Sequence, residues 1–313
     1  MTIPVIDLDR LEREGGLEAA AAAIGAACRE IGFFYLVGHG IEEAARERVF
    51  AAARAFFALP PDAKEAVSIA RSPHNRGYVG LAVEALDPRR GGDRKEAFNI
   101  GLELAPDDPE LAAGIPFRGL NQWPDLPGFR ETLLAWFDAC WALGRRLHRA
   151  IARDLGLAPD FFEPVLDRPM ATLRLLHYPP ADPSAPEAPG AGEHTDYGNL
   201  TLLATEAVGG LEVRRRDGAW IAAPFVPGAF VCNIGDCLER WTNGVYRSTP
   251  HRVASPRGRD RYSIAFSLDP NPDALVACLP SCTGPGRPAR FPPIHAADHL
   301  RARLEATYGP AAG

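Results

Sequence analysis

No stretch of this 313-residue sequence approaches the ~18 consecutive apolar residues that a bilayer crossing needs, so no membrane-spanning helix is expected. The opening Met1-Thr2-Ile3-Pro4 lacks the basic cluster and apolar run of a secretory signal, which predicts a cytoplasmic protein with no membrane partner. Lysine and arginine form no long block. With 34 basic against 40 acidic residues the formal net charge is −6, so the surface that a run of phosphates would require is missing and nucleic acid is not an expected partner. Cysteine is sparse, six in all, in apolar settings such as Phe230-Val231-Cys232 and Ala139-Cys140-Trp141. That spacing excludes a disulfide scaffold and predicts reduced, mostly buried thiols. No internal repeat is present either.

What remains is ordinary core material, 46% hydrophobic and 24% charged, with thirty glycines and thirty prolines that predict many turns. Ile3 to Leu8 reads as a short strand, Leu17 to Ile31 as an Ala-rich helix, and Phe33 to Val37 as a buried strand. Glu42 to Leu59 is amphipathic and is stopped by Pro60-Pro61. From Leu126 to Leu157 apolar residues including Leu133, Trp136, Phe137, Cys140, Leu147 and Ile151 recur at helical spacing, which predicts a long helix packed on a sheet. Beyond Asp167 short β-prone runs take over: Leu173–Tyr178, Leu200–Thr205, Leu211–Arg214, Ala229–Ile234 and Arg261–Leu268. Runs of this length, split by Gly, Pro and Asp, predict a β-sandwich or jelly roll. Arg71 to Gly92 and Pro179 to Gly192 read as loops.

His194-Thr195-Asp196 places an imidazole and a carboxylate on one face of extended backbone. His251 stands in another β-prone run, Ser248 to Val253, which an antiparallel fold can bring alongside. Two imidazoles and one carboxylate suit an octahedral non-haem Fe(II) with open positions, whereas zinc in the same ligands would be hydrolytic. A lone His-x-Asp is most often a hydrogen-bonded loop, and His251 alone says no more. Arg261-Tyr262-Ser263 changes the balance: a guanidinium fork and a hydroxyl share one strand face and together offer a site for a carboxylate.

Taken together, these segments resemble the isopenicillin N synthase-like group of Fe(II)/2-oxoglutarate-dependent oxygenases. The resemblance rests on Pro4-Val5-Ile6-Asp7-Leu8, the run Gly32 to Ile41, Lys95-Glu96-Ala97-Phe98, the run Leu173 to Pro180, His194-Thr195-Asp196, Asn233-Ile234-Gly235-Asp236, Thr242-Asn243-Gly244, His251-Arg252-Val253 and Arg261-Tyr262-Ser263. It implies a mainly β fold with flanking helices, a double-stranded β-helix (jelly roll) core braced by the long helix. Residues 4–115 would form the N-terminal non-haem dioxygenase region and 168–272 the dioxygenase core, within one compact unit. His194, Asp196 and His251 would hold iron, Arg261 and Ser263 the distal carboxylate of 2-oxoglutarate, and Tyr178 would contact that cosubstrate. One departure stands out: many plant members carry Asn two positions before the matching tyrosine, and here that residue is Leu176.

The expected activity is an oxygenase that uses Fe(II), 2-oxoglutarate and O2 to hydroxylate or otherwise oxidise a small molecule, with no obligate protein partner. Two rivals are a 2-oxoglutarate-independent Fe(II) oxidase or cyclase, because some members use the Arg-x-Ser pair for a substrate carboxylate, and a non-catalytic jelly-roll binding protein. Other residues carry structural expectations. His39 belongs to a turn, His177 points away from the metal, and His295 and His299 lie on a solvated helix face. Cys232, Cys237, Cys278 and Cys282 lack the framing of a zinc site. The loop from Arg71 to Gly92 is expected to cover the iron mouth, with Arg76, Tyr78, Leu81 and Leu86 at a substrate entrance.

Overall fold

The computed structural model describes residues 2–84, 86, 92–180, 189–256 and 258–308. Its strands are β1 (Val5–Asp7), β2 (Phe33–Val37), β3 (Gly77–Val79), β4 (Glu96–Gly101), β5 (Thr172–Tyr178), β6 (Pro189–His194), β7 (Leu200–Thr205), β8 (Leu211–Arg214), β9 (Trp220–Ala222), β10 (Phe230–Ile234), β11 (His251–Ala254), β12 (Arg261–Leu268), β13 (Leu275–Val276) and β14 (Ile294–His295). The helices are α1 (Leu8–Glu30), α2 (Glu43–Phe57), α3 (Pro61–Glu65), α4 (Pro109–Ala112), α5 (Phe129–Asp154), α6 (Asp236–Trp241) and α7 (Ala296–Tyr308). No helix among the described residues is long and apolar enough to cross a membrane.

An eight-stranded sheet runs β1-β2-β10-β7-β12-β5-β4-β3, and a four-stranded sheet runs β6-β11-β8-β9. Period-two alternation assigns the faces. On β12, Ile264, Phe266 and Leu268 turn to the core beneath the helices, while Arg261, Ser263, Ala265 and Ser267 line the interior between the sheets. On β5 the same split puts Leu173 and Leu175 under the helices and Thr172, Arg174, Leu176 and Tyr178 inside. The helix layer is therefore dry. The inner layer mixes apolar residues from both sheets, such as Phe33, Tyr35, Leu211, Val213 and Val253, with the polar residues of the cavity. The result is the jelly roll braced by a long helix that the sequence implies.

α5 is that brace. Its stripe of Leu133, Trp136, Phe137, Cys140, Leu147 and Ile151 is buried, and Phe137 meets Phe266 of β12 edge-on, with ring centroids 5.1 Å apart. The large sheet joins both halves of the chain. β1 to β4 come from the first hundred or so residues, and β4 pairs with β5 from Glu96↔His177 to Gly101↔Thr172.

Several expectations need correction. α1 begins at Leu8 rather than Leu17, because Asp7 caps it by accepting from the Arg10 amide at 3.1 Å. Gly16, at φ +63°, kinks it and separates that first part from the Ala-rich remainder. The segment 71–92 is not a plain loop, since β3 lies within it and pairs with β4. Residues 189–192, read as loop, belong to β6; residues 181–188 of that expected loop, and 85 and 87–91 of the other, lie outside the described residues. His295 is in β14, not a helix, and His299 is buried on α7, where its Nε2–H donates to the Tyr197 carbonyl at 3.0 Å. The solvated helix face expected for this pair is therefore not found.

Candidate metal centre and cosubstrate pocket

β6 ends at His194 and β11 begins at His251, and antiparallel pairing sets these two residues directly opposite each other. Their ring centroids are 4.2 Å apart. Asp196 follows β6 in a turn held by the Asp236 amide, which donates to the Asp196 carbonyl at 2.8 Å. Asp196 Oδ1 then stands 3.6 Å from His251 Nε2 and 3.9 Å from His194 Nε2. The three donor atoms lie within 4.8 Å of one another, and no other such cluster occurs among the described residues. In particular, the cysteines form none; all six are free thiols and five are buried.

The surroundings point every donor inward. His194 Nδ1–H donates to the Gly192 carbonyl at 2.8 Å and His251 Nδ1–H to that of Thr249 at 3.1 Å, which leaves both Nε2 lone pairs available. Asp196 Oδ2 accepts from Thr201 Oγ1 at 2.5 Å and from Asn233 Nδ2 at 2.8 Å, so Oδ1 is the free oxygen. Burial, then the neighbouring His251 charge, holds the His194 imidazolium down to about 3. Burial alone would raise Asp196, but both imidazoles and the two hydrogen bonds outweigh it and keep the carboxyl below its usual range. Two imidazole nitrogens and one carboxylate oxygen on a single side fit a divalent iron whose remaining positions stay open.

Along the same cavity wall, Arg261 and Ser263 lie on the inner face of β12, and Tyr178 is the cross-strand partner of Arg261. The guanidinium sits 4.7 Å from the Tyr178 ring centroid, donates from Nε to the Gly209 carbonyl at 2.9 Å, and from Nη1 reaches Ser263 Oγ at 3.3 Å. It is 2% exposed and has no carboxylate partner among the described residues. A buried, unpaired cation beside a hydroxyl is a receptor for an anion. Leu176 pairs with Ser263 and adds only an apolar wall, as its side chain requires.

Triad and clamp share one partly open cavity with about 200 Å³ of water-accessible space. The sequence reading did not name several of its working residues. Asp93 Oδ1 accepts from the Gly192 amide of β6 at 3.0 Å while its Oδ2 accepts from the Leu86 amide at 3.2 Å. Lys95 lies between Asp93 and Glu84, and Arg174 also pairs with Glu84, which makes a buried four-charge network. Lys95 and Asn233 stood inside motifs quoted for the resemblance; Thr201, Asp93 and Glu84 had no local signal. Asp269, raised to about 7 by burial and then by Asp196, also faces the cavity. Leu300 and Leu304 of α7 close one side.

Other expected positions resolve clearly. His39 is a turn residue whose Nε2–H donates to the Gly228 carbonyl at 2.9 Å. His177 lies on the helix face of β5, between Glu96 and Asp260 at 2.7 Å from each, and away from the triad. Of the four entrance residues, Arg76 and Leu86 line the cavity. Tyr78 is instead buried in the sheet with its hydroxyl donating to Glu96 at 2.6 Å, and Leu81 is exposed. Alternation explains the difference: Tyr78 pairs with Phe98, on the helix face of β4.

Residues 3–126 match the family described as non-haem dioxygenase in morphine synthesis N-terminal, and residues 169–270 match the 2OG-Fe(II) oxygenase superfamily. The 2-oxoglutarate-Fe(II) type oxidoreductase hxnY of Emericella nidulans is 36% identical over 315 residues, with 98% of this chain and 90% of the relative covered. A full-length Neurospora crassa protein crystallised in complex with alpha-KG and thymine superposes with a TM-score of 0.84 at 33% identity, covering 97% of this chain and 96% of that one. A Caulobacter crescentus protein assigned to the 2OG-Fe(II) oxygenase family superposes with a TM-score of 0.87 at 33% identity, covering 97% and 99%.

Proposed function

The chain belongs to the 2OG-Fe(II) oxygenase superfamily, and from that premise we propose that His194, Asp196 and His251 hold the iron while Arg261, Ser263 and Tyr178 hold 2-oxoglutarate. The protein is an Fe(II)/2-oxoglutarate dioxygenase acting on a small molecule. Iron and cosubstrate, when bound, would supply the oxidising chemistry: O2 activation coupled to decarboxylation of 2-oxoglutarate to succinate and carbon dioxide, with hydroxylation or a related oxidation of the substrate.

The residues of the chain do the binding and aiming. Arg261 neutralises the distal carboxylate through its Nη groups, with Ser263 Oγ as second donor and Tyr178 closing the pocket against water. Gly192, Thr249, Thr201 and Asn233 fix which ligand atoms face the metal. The segment 4–115 supplies the opposing wall of the 168–272 core, since Arg76, Glu84 and Lys95 line the cavity that His194 and Arg261 line.

The observation that carries this reading is the convergence on a single cavity of three inward donors and the buried Arg261, which has no carboxylate partner among the described residues and stands beside Ser263. Asp196→Ala tests it. The variant should keep its fold, lose iron on gel filtration and lose succinate formation with it, by more than the roughly 10- to 100-fold that loss of a residue merely orienting a ligand costs. Full activity in that variant would remove the assignment.

A further inference from the structure

The inner face of β12 carries Arg261, Ser263, Ala265 and Ser267 in turn, and the line continues one step past the strand to Asp269, which lines the same cavity. Arg261 marks the cosubstrate end. The triad lies nearer the level of Ser267, because Thr201, which bonds Asp196, is the cross-strand partner of Ser267. Asp269 is therefore on the side of the triad away from the clamp, roughly 25 Å along the chain from Arg261 at ~3.3 Å per residue. Neither metal nor cosubstrate accounts for it.

Asp269 as a residue is 6% exposed, and among the described residues its carboxyl accepts no hydrogen bond and meets no cation. Buried carboxyl groups are ordinarily paired. The cations that line the cavity make contacts of their own: Arg174 and Lys95 with Glu84 and Asp93, and Arg76 with the carbonyls of His74, Asn75 and Phe117, its Nε alone lacking a partner. Gly198 makes room for the acid. A Cβ there would stand 2.6 Å from Asp269 Oδ1, so the carboxyl rests against backbone two residues beyond Asp196. The cavity thus holds an acceptor without a donor, beside the turn that carries a metal ligand.

We propose that Asp269 selects the organic substrate by accepting a hydrogen bond from it, so that the substrate is a small compound that presents an N–H or O–H donor, such as an amine, an alcohol or the imide edge of a heterocycle. This rests on the reading of the cavity as that of a 2-oxoglutarate oxygenase. Either protonation state of the acid keeps an acceptor oxygen. A ligand without a donor would leave the acid buried and unpaired, a loss that hydrogen-bonding sites turn into strong discrimination.

The test uses the full chain loaded with Mn(II) and 2-oxoglutarate, which holds the site in a non-turning state, and calorimetric titration with two matched pairs. These are thymine against 1,3-dimethylthymine and benzyl alcohol against benzyl methyl ether, the donor hydrogens being replaced by methyl in the second member of each. The donor-bearing member of at least one pair should bind at least tenfold more tightly, and in Asp269→Ala, which removes the acceptor, that preference should fall below threefold. A residue that merely supported the fold would weaken both members of a pair alike. Affinity for 2-oxoglutarate, read in the same samples, should differ by less than twofold between the proteins; its absence from both would sink the proposed function instead. Equal binding within both pairs by the wild type, or an undiminished preference in Asp269→Ala, would overturn the assignment to Asp269.

Discussion

At the scale of single residues, the site is governed by which atoms are left without partners. Arg261 spends Nε on a carbonyl and one Nη on Ser263, so the remaining donors of the fork face the cavity. Lysine at this position would keep the charge but not the fork. Arg261→Lys is expected to raise the KM for 2-oxoglutarate by 10- to 100-fold, the equivalent of roughly 1.5–3 kcal/mol for a charge-assisted hydrogen bond, while iron affinity changes less than threefold. Steady-state kinetics with metal analysis decides the matter, and a KM within twofold of wild type would remove Arg261 from the cosubstrate site. These residues were legible because each sits in a short motif on one strand. Asp269 was not, since nothing in Leu268-Asp269-Pro270 says that its acid will be buried and left unpaired.

At the scale of elements, the helix layer depends on how closely α1 approaches α5. The Asp154 carboxylate at the end of α5 accepts from Arg29 Nη1 at 2.9 Å and Nη2 at 2.6 Å, and from Tyr246 Oη at 2.5 Å. It lies on the bare backbone of Gly25, where a Cβ would stand 2.0 Å from Asp154 Oδ1. Gly25→Ala gains about 1 kcal/mol of helix propensity. It must nonetheless displace a buried carboxylate from three donors, which costs on the order of 3–5 kcal/mol. A net loss of about 2–4 kcal/mol is expected, seen as a lower urea midpoint at unchanged slope; an equal or higher midpoint would show that α1 shifts freely. Periodicity exposed α5 and the strands from Leu173 onward because their apolar stripes are long or regular. It could not expose β6, whose Pro189-Gly190-Ala191-Gly192 has no strand propensity and is held by pairing with β11 and by Asp93. β3 was hidden for a similar reason: three residues are too few to show a period.

At the scale of the whole molecule, one buried polar hub ties the N-terminal segments to the core. Glu96 of β4 accepts from Lys64 of α3 at 2.8 Å, from Tyr78 of β3 at 2.6 Å, and from His177 of β5 at 2.7 Å; His177 in turn bonds Asp260, just before β12. Burial alone would raise Glu96, but its three donors outweigh it and bring the carboxyl from 4.5 down to about 2. For His177 burial opposes the charge, yet Glu96 and Asp260 prevail and raise it above 6.5. A depressed acid gives stability that is full above its unfolded value and is lost as pH falls through its folded one. A raised histidine gives stability that is full below its unfolded value and is lost as pH rises through its folded one. Glu96 and His177 therefore reinforce each other most between about pH 4.5 and 6.5. Glu96→Gln leaves Lys64 and His177 facing a neutral amide, and should cost on the order of 3 kcal/mol in that window, by the size of the Glu96 shift. His148, neutral and lowered to about 4 by burial, adds its own loss of stability as the pH drops below 6.5, but it does so equally in both proteins. The difference between wild type and Glu96→Gln is thus the informative quantity. Measured by urea unfolding, it should peak between pH 5 and 6.5, shrink toward pH 2 as Glu96 itself takes up a proton, and shrink in part above the folded value of His177, where Lys64 alone still needs the carboxylate. A difference that stays constant from pH 2.5 to 6 would mean that the hub holds β3, β4 and β5 together by shape rather than by charge.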